Sequence, residues 1–227
     1  MTARTTRAIR RHCPATSAMA RLLRIAALAG LPAGVLLTLV QRIEIVPLIR
    51  HAELFEHGGG HEAAPALWAT LGANVVLATG FALLLAAALS FDRRADARRG
   101  LLWGAAGYFA FFVAPSFGLP PELPGAESAP LADRQLWWVA TVAACALGLA
   151  LTVFARNLAL RAVGLVLIAG PFAIGAPEHA IHAHAVPLEI DHAFARATYL
   201  VNGLLWLGLG AAVGFLSAPN RARDKAG

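Results

Sequence analysis

Long uninterrupted apolar runs, separated by short polar stretches, most strongly limit how this chain can fold. Hydrophobic residues make up 58% of the 227 residues and charged residues only 14%, and the mean hydropathy is +0.63. A soluble domain ordinarily has about 25% charged residues, so this chain has too few charged residues for a soluble domain. Because the apolar residues come in blocks and do not alternate with polar ones, the sequence predicts an all-α polytopic membrane helix bundle.

The length of the blocks predicts about six spans, since roughly 20 apolar residues cross the ~30 Å hydrocarbon core of a bilayer. The predicted spans are 25–47, 67–91, 100–118, 136–155, 162–176 and 194–217. The fifth is short and contains Pro171, which predicts a short or broken helix. The remaining predicted units are a basic head (1–24), outer loops (48–66, 119–135 and 177–193) and a tail (218–227), with the transmembrane domain covering 25–217.

The basic residues predict the orientation of the bundle. With both termini in the cytoplasm, 15 of the 19 Lys and Arg residues fall on the cytoplasmic side, as the positive-inside rule requires. Basic residues grouped at the ends of spans set orientation and meet anionic lipid, so no nucleic-acid partner is expected. The sequence therefore predicts a multi-pass membrane protein with both termini in the cytoplasm.

Histidine and carboxylate residues collect on the opposite, outer side, which is predicted to hold seven of the eight His residues. Imidazole and carboxylate together suit Co²⁺, Ni²⁺ and Zn²⁺. The candidate metal ligands in the first and third outer loops are His51, Glu53, His57, His61, Glu178, His179, His182, His184 and His192. The alternative is that polar residues simply occupy the loops, because the spacing is not that of a closed zinc site.

Two further carboxylates are candidate ligands. Glu122 follows two prolines in the second outer loop, and this rigid turn is expected to hold it at the rim or against Arg134. Glu44 lies near the outer end of the first span, where it either contributes to a pathway or only reaches the membrane surface. Trp137 and Trp138, which follow closely, are predicted to be an interfacial aromatic anchor.

Catalytic motifs are missing from the sequence, so the protein is not expected to be an enzyme. A phosphate-binding loop of the Walker type needs a lysine, and the one lysine is Lys225 near the carboxyl terminus. No prosthetic group is expected either: a haem would need histidines within facing spans, and the outer histidines lie in loops or at span ends.

Short patterns within the spans predict how the helices pack. Glycines spaced four apart, at 30 and 34, 100 and 104, and 210 and 214, predict close helix contacts. A Thr-x-x-x-Asn or Thr-x-x-x-Cys pattern begins at Thr70, Thr141 and Thr198. If it is a true repeat, the three polar faces would line one pathway.

Several segments resemble the CbtA family of predicted cobalt transporter subunits. The resemblance is carried most specifically by Gly118-Leu-Pro-Pro-Glu122-Leu-Pro-Gly125 and by Arg134-Gln135-Leu-Trp137-Trp138. Further similarity lies in Leu39-Val-Gln41, in Arg98-Arg99-Gly100-Leu-Leu-Trp103-Gly104 and in Gly175-Ala-Pro177, and it extends over nearly the whole chain from about Arg21.

The resemblance implies a multi-pass subunit of the bacterial inner membrane for cobalt uptake that is linked to cobalamin supply. It also implies a small single-span partner, CbtB, with histidines of its own, and a functional role for Glu122, His179 and the flanking histidines, and for Gln41 and Glu44. The family is usually described with five spans, whereas the charge distribution here favours six. The short fifth span is where the two descriptions would differ.

Together these observations predict that Co²⁺ is captured at an outer His/Glu rim and passed inward between the helices. Nickel or zinc as cargo stays open, because the same ligand types bind all three ions. A membrane redox or assembly scaffold is the alternative outside transport, and a homo-oligomer is possible.

Overall fold

The computed structural model describes residues 14–55, 67–92, 94–123, 128–177 and 186–218, and all of its regular secondary structure is helical. The helices are α1 (Pro14–Glu44), α2 (Val46–Glu53), α3 (Leu67–Leu89), α4 (Ala97–Tyr108), α5 (Ala114–Ser116), α6 (Leu131–Phe154), α7 (Leu158–Ile174) and α8 (Leu188–Ser217). A π-helical turn, Phe109–Val113, joins α4 to α5. The predicted all-α bundle is therefore confirmed.

Among the described residues, four candidate membrane spans stand out by length and composition: Ser17–Glu53, Leu67–Leu89, Leu131–Phe154 and Leu188–Ser217. Helix α7 is apolar but shorter, with 17 residues. At 1.5 Å per residue it extends roughly 26 Å, slightly less than the hydrocarbon core.

Each predicted span coincides with a helical segment, but the ends differ. Helix α1 begins at Pro14 and not at Ile25, and α8 begins at Leu188 and not at Phe194. Hydropathy marks only the apolar part of a helix, whereas the backbone hydrogen bonds continue through polar turns that contain Arg21 or Asp191.

Helices pack in three antiparallel pairs whose backbones touch at glycines. Gly30 and Gly34 of α1 lie against the α3 backbone, so that a Cβ at either position would overlap it. The same holds for Gly100 of α4 against Gly210 of α8, and Gly148 of α6 against Gly164 of α7. The close contacts predicted from the glycines of α1, α4 and α8 are confirmed. Inside lipid the hydrophobic effect does not drive helices together, so close packing of this kind is what stabilises their association.

The main core lies between α1, α3 and α8, and it contains Ala78, Ala82, Trp206, Leu209 and Val213. Helices α6 and α7 are attached to this core through the π turn and α5, where Ala110 and Ala114 pack against the buried Cys145. Pro115 explains the π turn, because it has no N–H to donate within the helix and the Ala114 N–H instead reaches back to the Phe109 carbonyl.

The two ends of the bundle can be told apart by their residues. One end, called here the α2 end, holds α2, the 117–123 segment, and the first turns of α6 and α8. The opposite end, called the Ser217 end, brings together Arg21, Asp92 and Ala95 with Ser217. There the Arg21 guanidinium donates a hydrogen bond of 3.0 Å to the Ser217 carbonyl.

Candidate functional site

A small apolar cluster at the α2 end joins three stretches that are far apart in the chain. Ala52 of α2, Leu123 of the proline-rich segment, and Ile190 and Phe194 of α8 are buried together. Side chains preceding and on α2 pack around this cluster, among them Leu48. Parts of the three predicted outer loops therefore meet at one place.

Candidate ligands flank the cluster in the sequence. His51 and Glu53 lie on either side of the buried Ala52, and both are exposed. His192, exposed as well, is two residues from Ile190 at the start of α8. The apolar side chains anchor these turns, and the imidazoles and the carboxylate are left on the surface.

The described candidates do not form a finished metal site. Within 14–55, 67–92, 94–123, 128–177 and 186–218, no three His, Cys, Asp or Glu side chains lie close enough together to bind one ion. His51 packs against Phe55, with ring centroids 5.8 Å apart. The other candidates, His57, His61, Glu178, His179, His182 and His184, lie outside the described residues.

Glu122 is held by its own loop. Ser128 Oγ donates a hydrogen bond of 2.8 Å to Glu122 Oε2, so the rigid turn predicted from the prolines closes through this hydrogen bond. Glu122 also lines a cavity together with Arg134 of α6. The carboxylate is therefore oriented by the polypeptide, as a ligand or binding residue requires.

Gln41, Glu44 and Leu48 are spaced as residues of one helix face are, but their surroundings differ. Gln41 accepts a hydrogen bond from Asn74 of α3 over 2.7 Å, and Leu48 packs on the apolar cluster. Glu44, the last residue of α1, is exposed.

The polar pattern within the spans does not line a single pathway. Asn74 turns towards α1, where it also donates to Thr38 Oγ1, and Asn202 donates to the Thr198 carbonyl within its own helix. Thr141 and Cys145 lie on α6 and are both completely buried. Cys145 packs against the α4–α5 segment. The hypothesis of three faces around one path is therefore not supported.

Trp137 differs from the prediction, whereas Trp138 is consistent with it. Trp138 is 38% exposed, but Trp137 is only 9% exposed and its indole ring lies against Gly118 and near Ala176. The missing Cβ of Gly118 makes room for this ring. Trp137 is therefore a packing residue of the α2 end and not an interfacial anchor.

Two polar features of the fold carry little signal in the sequence. Thr38 is 3% exposed; its hydroxyl accepts a hydrogen bond from Asn74 of α3 and donates one to the Gly34 carbonyl. Arg134 is predictable as a neighbour of Glu122, but the sequence does not show that its Nε is buried without a hydrogen-bond partner within the described part of the chain. A threonine or arginine close to an apolar run is a weak signal, because only the fold shows what surrounds it.

Comparison with known proteins identifies the family. A family model described as "Probable cobalt transporter subunit (CbtA)" matches residues 19–218, which is most of the chain. The search of curated proteins and the search of solved structures each find no match. The description of the family names a role in transport. With its apolar helices long enough to cross a membrane, the chain belongs to the CbtA family of probable cobalt transporter subunits.

Proposed function

We propose that the protein is the membrane subunit of a bacterial inner-membrane cobalt importer that serves cobalamin synthesis and captures Co²⁺ at the α2 end. The observation that carries this proposal is the cluster of Ala52, Leu123, Ile190 and Phe194, which ties parts of all three predicted outer loops together. Family membership supports cobalt as the cargo. Imidazole and carboxylate are also suitable ligands for that ion.

The two His-bearing segments outside the described residues are connected in sequence to residues that pack on the same cluster. Phe55 precedes the first segment and Val186 follows the second, and both pack against the cluster. In the sequence, His57 and His61 therefore come shortly after Phe55, which is anchored at the α2 end. Val186, which is anchored there too, comes shortly after His179, His182 and His184. This arrangement supports one shared capture rim, to which His51, Glu53, Glu122, His192 and Glu44 would contribute.

The proposed topology has six crossings, with both termini in the cytoplasm and the α2 end outside. Alternating helix directions support it, since α1 and α3, α4 and α8, and α6 and α7 are antiparallel. Of the 19 basic residues, 15 fall in the head, tail and loops of the Ser217 end, which supports placing that end inside. A small single-span subunit of the CbtB type is the proposed partner.

Cobalt accumulation in cells that lack other importers tests the proposal. Radiolabelled Co²⁺ uptake would be measured with the chain expressed alone and together with a CbtB-type partner. The test variant changes His179, His182 and His184 to Ala, and the matched control is His12→Ala, in the proposed cytoplasmic head. Uptake is expected to require the chain, to fall in the triple variant and to be unchanged in the control.

Each contrary outcome would contradict a different part of the proposal. Cobalt uptake that is unaffected by the triple variant would rule out capture at these histidines but leave transport in place. Uptake of nickel or zinc, but not cobalt, would change the cargo. If none of the three ions accumulates with the partner present, a transport role is wrong.

A further inference from the structure

Buried polar atoms without a partner are concentrated on one helix. Of the side-chain atoms that are buried with no hydrogen-bond partner within the described ranges, three lie on α6: Arg134 Nε, Trp137 Nε1 and Thr141 Oγ1. The other two, Thr79 Oγ1 and Thr198 Oγ1, lie on α3 and α8. Leaving a buried donor unpaired is unfavourable, so most of this cost falls on α6.

The three α6 residues form one stripe, called here the α6 stripe, which continues to Cys145. Residues spaced three and four apart lie on the same helix face, so Arg134, Trp137, Thr141 and Cys145 follow one another along α6. Thr141 and Cys145 are completely buried. At 1.5 Å per residue they lie roughly 15 and 21 Å from Leu131, where the helix begins. The α6 stripe therefore extends from the α2 end to just past the middle of the helix.

The residues that cover the α6 stripe are small. Cys145 packs against Ala110 of the π turn and Ala114 of α5, and the ring of Trp137 lies against Gly118. An alanine or a glycine buries little apolar surface, and the stabilisation from burial follows that area. The contact of α6 with the α4–α5 segment is therefore weak where the unpartnered polar atoms lie.

Helices α6 and α7 are held more closely to each other. Gly148 of α6 lies against the Gly164 carbonyl of α7, and a Cβ at Gly164 would in turn overlap Thr152 of α6. The connection between the two helices consists only of residues 155–157, which keeps them side by side. At the Ser217 end, Trp103 of α4 stacks on Phe154 of α6, with ring centroids 5.9 Å apart. The two helices can therefore move as one unit about this end.

From this arrangement we infer that the α6–α7 pair swings away from the α4–α5 segment and opens a water-filled cleft from the α2 end down to Cys145. The stacked rings of Trp103 and Phe154 are the pivot. The π turn, where the regular helical hydrogen bonds are already interrupted, lies along the cleft. Opening lets water reach the α6 stripe, which offsets the loss of the small apolar contacts. The movement involves the helices alone and does not depend on which ion is carried.

The thiol of Cys145 reports this opening directly. With Cys13 changed to Ser, Cys145 is the only cysteine left in the chain. The protein in lipid nanodiscs would be treated with a charged methanethiosulfonate reagent, which enters water but not hydrocarbon, and intact mass spectrometry would give the labelling rate. Two control thiols are each combined with Cys145→Ala. Ala82→Cys lies in the main core, and Leu147→Cys lies on the exposed side of α6 at a similar depth.

Removing the unpartnered hydroxyl of Thr141 should close the cleft. Thr141→Val keeps nearly the same shape but leaves no unpaired donor in the closed arrangement, so labelling of Cys145 should slow roughly tenfold. Thr198→Val, which removes an unpartnered hydroxyl from α8, is the matched control and should leave the rate unchanged.

A side chain at Gly118 should have the opposite effect. Its Cβ would overlap the ring of Trp137 and push α6 away from the α4–α5 segment, so Gly118→Ala should label Cys145 several times faster. Gly72→Ala, where a Cβ would have nothing within 4 Å, is the control for this change. If Gly118→Ala does not fold, Thr141→Val provides the test.

We expect Cys145 to be labelled faster than both control thiols. A rate no higher than that of Ala82→Cys would show that the contact stays closed, and an equal rate for Leu147→Cys would show that the reagent arrives through lipid. Either result would overturn the cleft. Labelling that is unchanged or faster in Thr141→Val, or unchanged in a folded Gly118→Ala, would also overturn it. Because no cobalt is used, the cleft can fail while the proposed transport holds, and the reverse.

Discussion

The side-chain amide of Asn74 on α3 donates a hydrogen bond of 2.7 Å to Gln41 Oε1 on α1. The same nitrogen donates to Thr38 Oγ1 over 3.0 Å, and Thr38 in turn donates to the Gly34 carbonyl over 2.9 Å. Asn74 is only 8% exposed, so little water competes for these groups. The hydrogen bonds among the three side chains fix the position of α3 along the axis of α1. Glycine contacts alone would allow the two helices to slide past each other.

Replacing Asn74 with Ala should therefore lower the free energy of unfolding by about 1–2 kcal/mol, the value that polar contacts between membrane helices reach. Unfolding in mixed micelles with increasing SDS would measure the change. Asn202→Ala is the matched control, because Asn202 Nδ2 donates to the Thr198 carbonyl of its own helix. Equal losses in the two variants would show that the bond between the helices adds nothing.

Gly210 is predicted to tolerate no side chain, whereas Gly208 on the same helix should. A Cβ at Gly210 would overlap the Gly100 carbonyl, but a Cβ at Gly208 would have nothing within 4 Å. Gly210→Ala should cost roughly 1–3 kcal/mol through overpacking, and Gly208→Ala should leave stability unchanged or slightly higher. Thermal unfolding in detergent would show the difference, and similar transition temperatures would contradict the close α4–α8 contact.

Asp96 caps helix α4, since its side chain accepts a hydrogen bond of 2.8 Å from the Arg99 N–H. Asp96→Ala should lower the free energy of unfolding by about 0.5–2 kcal/mol, and Asp96→Asn should retain most of the stability because asparagine caps equally well. Chemical unfolding of the two variants beside the wild type is the measurement. A loss of the same size in Asp96→Asn would attribute the effect to charge and not to the cap.

The number of crossings can be decided at Ser217. In a background without Cys13 and Cys145, Ser128→Cys should react with a membrane-impermeant maleimide in intact cells. Ser217→Cys should react only after permeabilisation, because six crossings return the chain to the cytoplasm. If α7 does not cross, as in a five-span arrangement, Ser217→Cys would instead be labelled in intact cells.

Hydropathy and glycine spacing predict much of this fold. Each predicted apolar block coincides with a helix, and Gly30, Gly100 and Gly210 lie where backbones touch. A block of Ala, Leu and Val in lipid can satisfy its backbone only as a helix, and small residues let helices approach. These properties depend on residues that are close together in the sequence.

The rest depends on partners that are distant in the sequence. Ala52, Leu123 and Ile190 carry no chemical signal of their own, yet their contact brings together parts of the three predicted outer loops. Trp137 looks like an interfacial tryptophan until Gly118 is found against its ring. Asn74 could equally have faced a pathway, and only its bonds to Thr38 and Gln41 show that it joins two helices.

The glycine contacts have a consequence for the route of an ion. Where Gly34 meets Val75, Gly104 meets Gly210 and Gly148 meets Gly164, backbone atoms are already in contact, which leaves no gap wide enough for a metal ion. An ion therefore cannot pass between the helices of these three interfaces where the glycines lie. On the proposed route, Co²⁺ that enters from the rim would therefore have to pass elsewhere, either between the α6–α7 pair and the other helices or along a surface completed by a second subunit.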